Sequence, residues 1–120
     1  MGRSESVYLV VGVRVKRNLR VLLAKYFPDS EATTAHRIYA GSTIAIPGTP
    51  YTIENYEYYE KDMGTFIQLI VKEAYVTHFR DAAPIKVEMP NSSEITDFKN
   101  FLAEVGIFDE VETYLVVTGS

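Results

Sequence analysis

The chain has 120 residues, carries a formal net charge of −4 and contains no cysteine. This length is typical of a single domain, and a hydrophobic fraction of 47% is too high for a disordered chain. The missing cysteines exclude disulfides, thiolate catalysis and iron–sulfur or zinc-finger sites. We therefore expect one folded domain over residues 1–120 that needs no metal or cofactor to hold it together.

The start of the chain lacks the features of a targeting segment. Residues 1–6 have neither the basic flank nor the apolar stretch of a signal peptide. The longest apolar run, from Val7 to Val13, is far shorter than the ~20 residues of a membrane-spanning helix. These features favour a cytoplasmic protein without a membrane partner.

A strand and a helix are predicted at the start of the chain. From Val7 to Lys16 the odd positions are apolar, whereas the even positions become basic towards the end, which predicts a strand. Asn18 is placed to cap the helix that follows, and Pro28 ends it. The apolar stripe of this helix consists of Leu19, Leu22, Leu23 and Tyr26.

The next segment, residues 29–43, has two interpretations. Asp29 or Ser30 can cap a short helix that runs to about Tyr39, with Gly41 as its C-terminal stop. The alternative is a loop or lid of about 15 residues, long enough to suggest a function.

The middle of the chain is predicted to be rich in β-strands. Residues 61–64 are interpreted as a hairpin turn. Glu73 falls among the apolar positions of the strand that follows, so we expect a bulge or a break near it. The predicted strands cover residues 42–46, 51–60, 65–80 and 84–89.

The last helix has the clearest boundaries. Asn91 and Glu94 fit a capping box, with Ser93 as the alternative cap, and Gly106 lies where a left-handed C-terminal residue is needed. A final strand is predicted over 111–118. Its Tyr-Leu-Val-Val sequence repeats that of residues 8–11, a similarity short enough to arise by chance.

These elements predict an α+β domain, with an antiparallel sheet of four to six strands and two main helices on one face. Without the short pieces the order is β-α-β-β-α-β, which is the order of the ferredoxin-like, split β-α-β arrangement. A related α+β sandwich with a longer hairpin is the alternative.

Positive charge is concentrated at the start of the chain. Residues 1–27 contain six basic side chains and one acidic one. The candidate ligand-binding residues Arg14, Lys16, Arg17 and Arg20 lie where the first strand leads into the first helix. Free backbone N–H groups and guanidinium groups there favour a nucleotide-like anionic ligand. The alternative is a solvated charged surface, and no glycine-rich phosphate loop is present.

Tyrosines are concentrated in one predicted strand. The candidate protein-interaction residues are Tyr51, Tyr56, Tyr58 and Tyr59. Tyrosine offers a large contact area with little loss of entropy, which suits protein recognition, although packing at the edge of the core is the alternative. Acidic residues lie between these rings and dominate the rest of the chain, which disfavours nucleic-acid stacking and broad DNA binding.

The chain has two histidines, His36 and His78. Each could act as a catalytic base, but nothing in the sequence places them together or at a spacing typical of metal ligands. A metal site is therefore not predicted.

We interpret the chain as a small non-enzymatic binding or interaction protein that forms a homo-oligomer and binds a protein partner. By analogy alone, such compact proteins without catalytic motifs occur as accessory proteins of viruses and mobile elements that capture a host protein. One alternative is a binder of a nucleotide-like ligand at the basic strand–helix junction. The other is an enzyme of unknown reaction that uses His36 or His78.

Overall fold

The computed structural model describes residues 5–16, 19–58, 61–76 and 88–119. In chain order the elements are β1 (Glu5–Val15), α1 (Arg20–Tyr26), α2 (Glu31–Tyr39), β2 (Ile44–Ala45), β3 (Tyr51–Tyr58), β4 (Lys61–Val76), α3 (Ser92–Glu104) and β5 (Glu112–Gly119). The predicted α+β class is confirmed. The strand predicted over 84–89 falls mainly outside the described residues.

The strands form one five-stranded antiparallel sheet in the order β2-β3-β4-β1-β5. β1 and β3 therefore run parallel to each other with β4 between them. In the same way β4 and β5 run parallel on either side of β1. This is the strand order of the split β-α-β arrangement, with the short β2 added beside β3.

The sheet contains two register shifts, one between β1 and β4 and one between β3 and β4. The first confirms one prediction, and the second lies where another prediction is wrong. The register between β1 and β4 changes between Leu9 and Val10, which leaves Val71 as the extra residue and confirms the irregularity predicted near Glu73. The turn predicted over 61–64 is wrong, because these residues belong to β4 and Lys61 is paired with the end of β3. The glycine of this segment, with φ of 92°, lies instead beside a register shift between β3 and β4.

All the helices pack on the face of the sheet formed by the odd-numbered residues of β1. Tyr51 of β3 lies between Phe98 and Phe101 of α3, with ring centroids 4.8 and 4.7 Å apart. Burial of these rings and of the aliphatic side chains around them provides the main hydrophobic stabilisation of the fold. Other buried members of this core are Val11, Val13, Leu22, Ile38, Ile53, Ile67 and Leu102.

The two short helices agree closely with the sequence. α1 ends at Tyr26, before Pro28, although its N-cap is Leu19 rather than the predicted Asn18, which lies outside the described residues. α2 has Ser30 at its N-cap, and Gly41, with φ of 86°, follows it. Residues 31–39 are therefore helical, which decides against the loop alternative.

Both ends of α3 are stabilised as predicted. Asn91 Oδ1 accepts a hydrogen bond of 2.8 Å from the Glu94 backbone N–H, which is one half of the capping box. At the other end the Ile107 N–H donates to the Leu102 carbonyl oxygen at 2.9 Å. Gly106 takes φ of 77°, so the helix ends in the left-handed motif expected from the sequence.

We expect the substitution Gly106→Ala to lower the free energy of unfolding by about 1 kcal/mol, because a Cβ atom is disfavoured at positive φ. A Cβ atom at Gly106 would meet nothing within 4 Å, so the loss comes from the backbone and not from a clash. Urea denaturation measures it, with the exposed α3 position Lys99→Ala as the control. Equal stability of the two variants would contradict this account of the helix end.

Candidate functional site

The side of the sheet that points away from the helices is the candidate site, and we call it the open face. It is formed by the even-numbered residues from Tyr8 to Arg14, Thr52 to Tyr56, Phe66 to Ile70 and Glu112 to Val116, which are cross-strand neighbours. In the described ranges every helix packs on the other face. The open face is nevertheless not a polar, solvated surface.

Three aromatic rings cross the open face in a row that we call the aromatic ridge. Phe66 lies between Tyr56 and Tyr114, with centroid distances of 5.3 and 5.2 Å and edge-to-face geometry on both sides. Such pairs stabilise each other by about 0.5–1.5 kcal/mol beyond the area they bury. Phe66 is only 7% exposed, although it points away from the helices.

Gly12 lies on β1, between the two strands that carry Phe66 and Tyr114. Phe66 is paired with Arg14 and Tyr114 with Val10, so the two rings approach each other across β1 at the level of Gly12. A Cβ atom at Gly12 would lie 3.1 Å from the Ile67 carbonyl oxygen, which is part of a rigid strand. A side chain at this position would therefore disturb the pairing of β1 with β4.

A polar pair lies in the middle of this apolar surface. The Tyr56 hydroxyl donates a hydrogen bond of 2.7 Å to Oε1 of Gln68, a side chain that is only 3% exposed. The neighbouring hydroxyl of Thr52 is buried and has no hydrogen-bond partner within the described part of the chain. These groups give the open face a small polar centre beside its aromatic rings.

A shallow groove of about 270 Å³ crosses the open face beside this polar pair. It runs from Thr43, which donates a hydrogen bond to Glu54, to Val116 on β5, and Tyr8 and Ile70 also line it. Ile70 is 37% exposed, so the middle of the groove offers an accessible apolar side chain.

Burial changes the acid–base behaviour of the ridge tyrosines. It raises the pKa of Tyr56 above the usual 10.0, although the hydrogen bond to Gln68 acts in the opposite direction. Burial also raises the pKa of Tyr114, and the hydrogen bond to Glu112 adds to that effect. Both phenols therefore remain neutral hydrogen-bonding groups at ordinary pH.

Of the predicted basic residues, the structure places Arg14 and Arg20 on different sides of the sheet. Arg14 is exposed on the open face, and Lys16 is exposed just beyond the end of β1. Arg20 belongs to α1 in the helix layer, where it lines a groove between α1 and α2. Arg17 lies outside the described residues.

Tyr51 and Tyr56, two of the four predicted interaction tyrosines, are also separated. Tyr51 is 6% exposed and belongs to the core, whereas Tyr56 lies on the open face. Tyr58 is the last residue of β3, and Tyr59 lies outside the described residues. Because side chains alternate along a strand, an odd and an even position cannot share one surface.

The histidines form no site within the described residues. His36 is exposed near the end of α2, and His78 lies outside the described ranges. In the described part of the chain no three metal-ligating side chains lie close enough together to hold an ion.

Sequence reasoning missed Val10, Phe66, Gln68 and Tyr114 as parts of a surface. For Val10 and Tyr114 the repeated Tyr-Leu-Val-Val sequence was a signal that could have predicted their proximity, because its two copies lie on neighbouring strands of the sheet. Tyr8 is paired with Val116 and Val10 with Tyr114, which puts both tyrosines on the open face.

No protein-family model, curated protein or solved structure matches this chain. Among the described residues, no helix combines the length and the apolar character needed to cross a membrane.

We expect the free energy of unfolding to fall as the pH rises through 10.0, because unfolded tyrosines ionise there. Tyr51, Tyr56 and Tyr114 keep their protons in the folded state, so the unfolded state binds fewer protons and gains stability. Urea denaturation at pH about 8 and about 11 measures the fall. The fall should be smaller in the variant Tyr56→Phe than in the unchanged chain. Equal falls in the two proteins would contradict the assignment to Tyr56.

Proposed function

We propose that this chain is a non-enzymatic interaction module that assembles with copies of itself through the open face. The observation that supports this proposal is the aromatic ridge on a sheet face that no described helix covers. A role as an accessory protein that captures a host protein stays a prediction.

The composition of the open face is that of a protein–protein interface. The rings of the ridge, with Ile70 and Val116 nearby, surround the small polar centre formed by Tyr56 and Gln68. Charged side chains occur towards the margins of the open face, at Arg14 and Glu112. Interfaces typically combine an aromatic-rich centre that lacks charge with a polar rim.

The charges on the open face favour a second copy as the occupant. Glu54, Phe66 and Arg14 lie side by side in one row across β3, β4 and β1. A two-fold axis through Phe66 along the strand direction places Arg14 of each copy opposite Glu54 of the other. Such self-complementary pairing is what a symmetric dimer interface requires.

The size of the sheet fits a small dimer interface. Its four longer strands have at least eight residues each, and at a spacing of about 4.8 Å they present roughly 500 Å² of projected area per copy. Two copies together reach about 1,000 Å², which is the lower limit for a specific interface.

We expect Ile70→Asp to weaken association through the open face about 100-fold or more, because an unpaired charge would be buried in that interface. Sedimentation equilibrium measures this effect against the monomer mass of 13.6 kDa. The matched control is Val21→Asp, at a position that is 58% exposed on α1. It should associate like the unchanged chain.

A monomeric unchanged chain, or equal association of the two variants, would contradict the proposal. Circular dichroism establishes whether Ile70→Asp is folded. If Ile70→Asp is unfolded, Ile70→Thr is used instead, because threonine keeps the β-branched shape. Its association should be weakened about tenfold.

The position of Arg14 supports a second candidate function, binding of a nucleotide-like ligand on the open face. A Cβ atom at Gly64 would lie 2.9 Å from Arg14 Nε, so this guanidinium group lies over β4 next to Phe66. An exposed guanidinium group beside partly exposed tyrosine rings suits a phosphate attached to an aromatic base.

We expect Arg14→Glu to weaken binding of adenosine diphosphate at least about tenfold, since one charge-assisted contact is lost and repulsion is added. The matched control is Arg37→Glu, an exposed position on α2. Isothermal titration calorimetry measures both variants. Absence of binding to the unchanged chain, or equal binding by both variants, would remove this second function.

A further inference from the structure

The outer edge of β5 is a second candidate surface, separate from the open face. β5 (Glu112–Gly119) forms one edge of the sheet, with β1 as its neighbour. In the described part of the chain no strand pairs with its other side. An edge strand of eight residues presents a row of backbone N–H and C=O groups that can pair with a further strand.

β5 lacks the usual protection of an edge strand. Its one charged residue, Glu112, is its first residue, and it contains no lysine, proline or register shift. The opposite edge, β2, has only two residues and is followed by Pro47 and Pro50. Natural edge strands are commonly short, charged or bulged, because a plain edge pairs with other chains. β2 fits that description and β5 does not.

Leu115 lies near the middle of β5 and is 68% exposed. It points to the same side of the sheet as Val11 and Val13, yet the helices do not cover it. In the described part of the chain the edge beside it is unpaired, and a large aliphatic side chain in such a place gains most from a neighbour that continues the sheet.

We propose that β5 pairs in antiparallel orientation with β5 of a second copy, with Leu115 opposite its own counterpart. A two-fold axis at Leu115 then covers both exposed leucine side chains. In this arrangement the two Glu112 side chains lie about 20 Å apart, at opposite ends of the pairing. Parallel pairing would instead bring them next to each other, where like charges repel.

This pairing extends the open face over two copies. Tyr114 becomes the direct neighbour of Val116 of the second copy, and both residues lie on the open face. The groove that ends at Val116 therefore continues onto the second chain. The edge contact does not use the ridge, so it forms whether or not two open faces pack together.

Single-cysteine variants test the pairing cleanly, because the chain has no cysteine of its own. Directly opposite residues have Cα atoms about 4.5–5.5 Å apart, within the range that a disulfide accepts. Leu115→Cys should therefore form a disulfide-linked dimer under mild oxidation. Thr113→Cys is the matched control, because its counterparts would be about 14 Å apart in this register.

We expect cross-linking of Leu115→Cys to be at least about tenfold faster than that of Thr113→Cys, because paired thiols share a high effective concentration. Equal rates, or faster cross-linking of Thr113→Cys, would overturn the proposal. Combining Leu115→Cys with Ile70→Asp separates the two interfaces. Cross-linking that persists in the combined variant identifies the edge contact, and its loss shows that the open face is responsible for the contact.

Amide hydrogen exchange on the unchanged chain is the second measurement, since it needs no substitution at the edge. Protection of the β5 amides should rise with protein concentration if the strands pair between copies. Protection that does not depend on concentration would overturn the proposal even if the cysteine variants failed to fold.

Discussion

The structure depends on the position of β1, which is hydrogen-bonded on both sides, to β4 and to β5. Each of its side chains therefore points either towards the helices or onto the open face. Val11 and Val13 pack under the helices, whereas Val10 and Gly12 belong to the open face. A strand with one solvated face normally alternates apolar and polar residues. β1 does so only towards its end, which indicates that the far side of this strand is packed as well.

Aromatic rings pack on that far side of β1. Phe66 of β4 and Tyr114 of β5 meet across β1 with ring centroids 5.2 Å apart. Val10 is on the same side and is only 1% exposed, although every described helix packs on the other face. The aromatic surface is thus part of the fold and, at the same time, the feature most suited to binding.

Local signals in the sequence were sufficient for the helices but not for the open face. The ends of α3 were predictable because capping depends on residues a few positions apart, such as Asn91 and Glu94. The contact between Phe66 and Tyr114 joins residues far apart in the chain and depends on the register of three strands. Gly64 shows the limit of local patterns, since its positive φ belongs to an irregularity within paired strands rather than to a turn.

The distribution of charge shows why a cluster in sequence is not a cluster in space. Arg14 and Arg20 are six positions apart, but the end of β1 lies between them, and the chain continues from the sheet into the helix layer. Lys25 is used in a 3.2 Å ion pair with Glu104 that joins α1 to α3. What remains on the open face is a guanidinium group beside an aromatic surface. Under the proposed self-association, a second copy matches these rings with its own ridge and the charge of Arg14 with its Glu54, which lies in the same row.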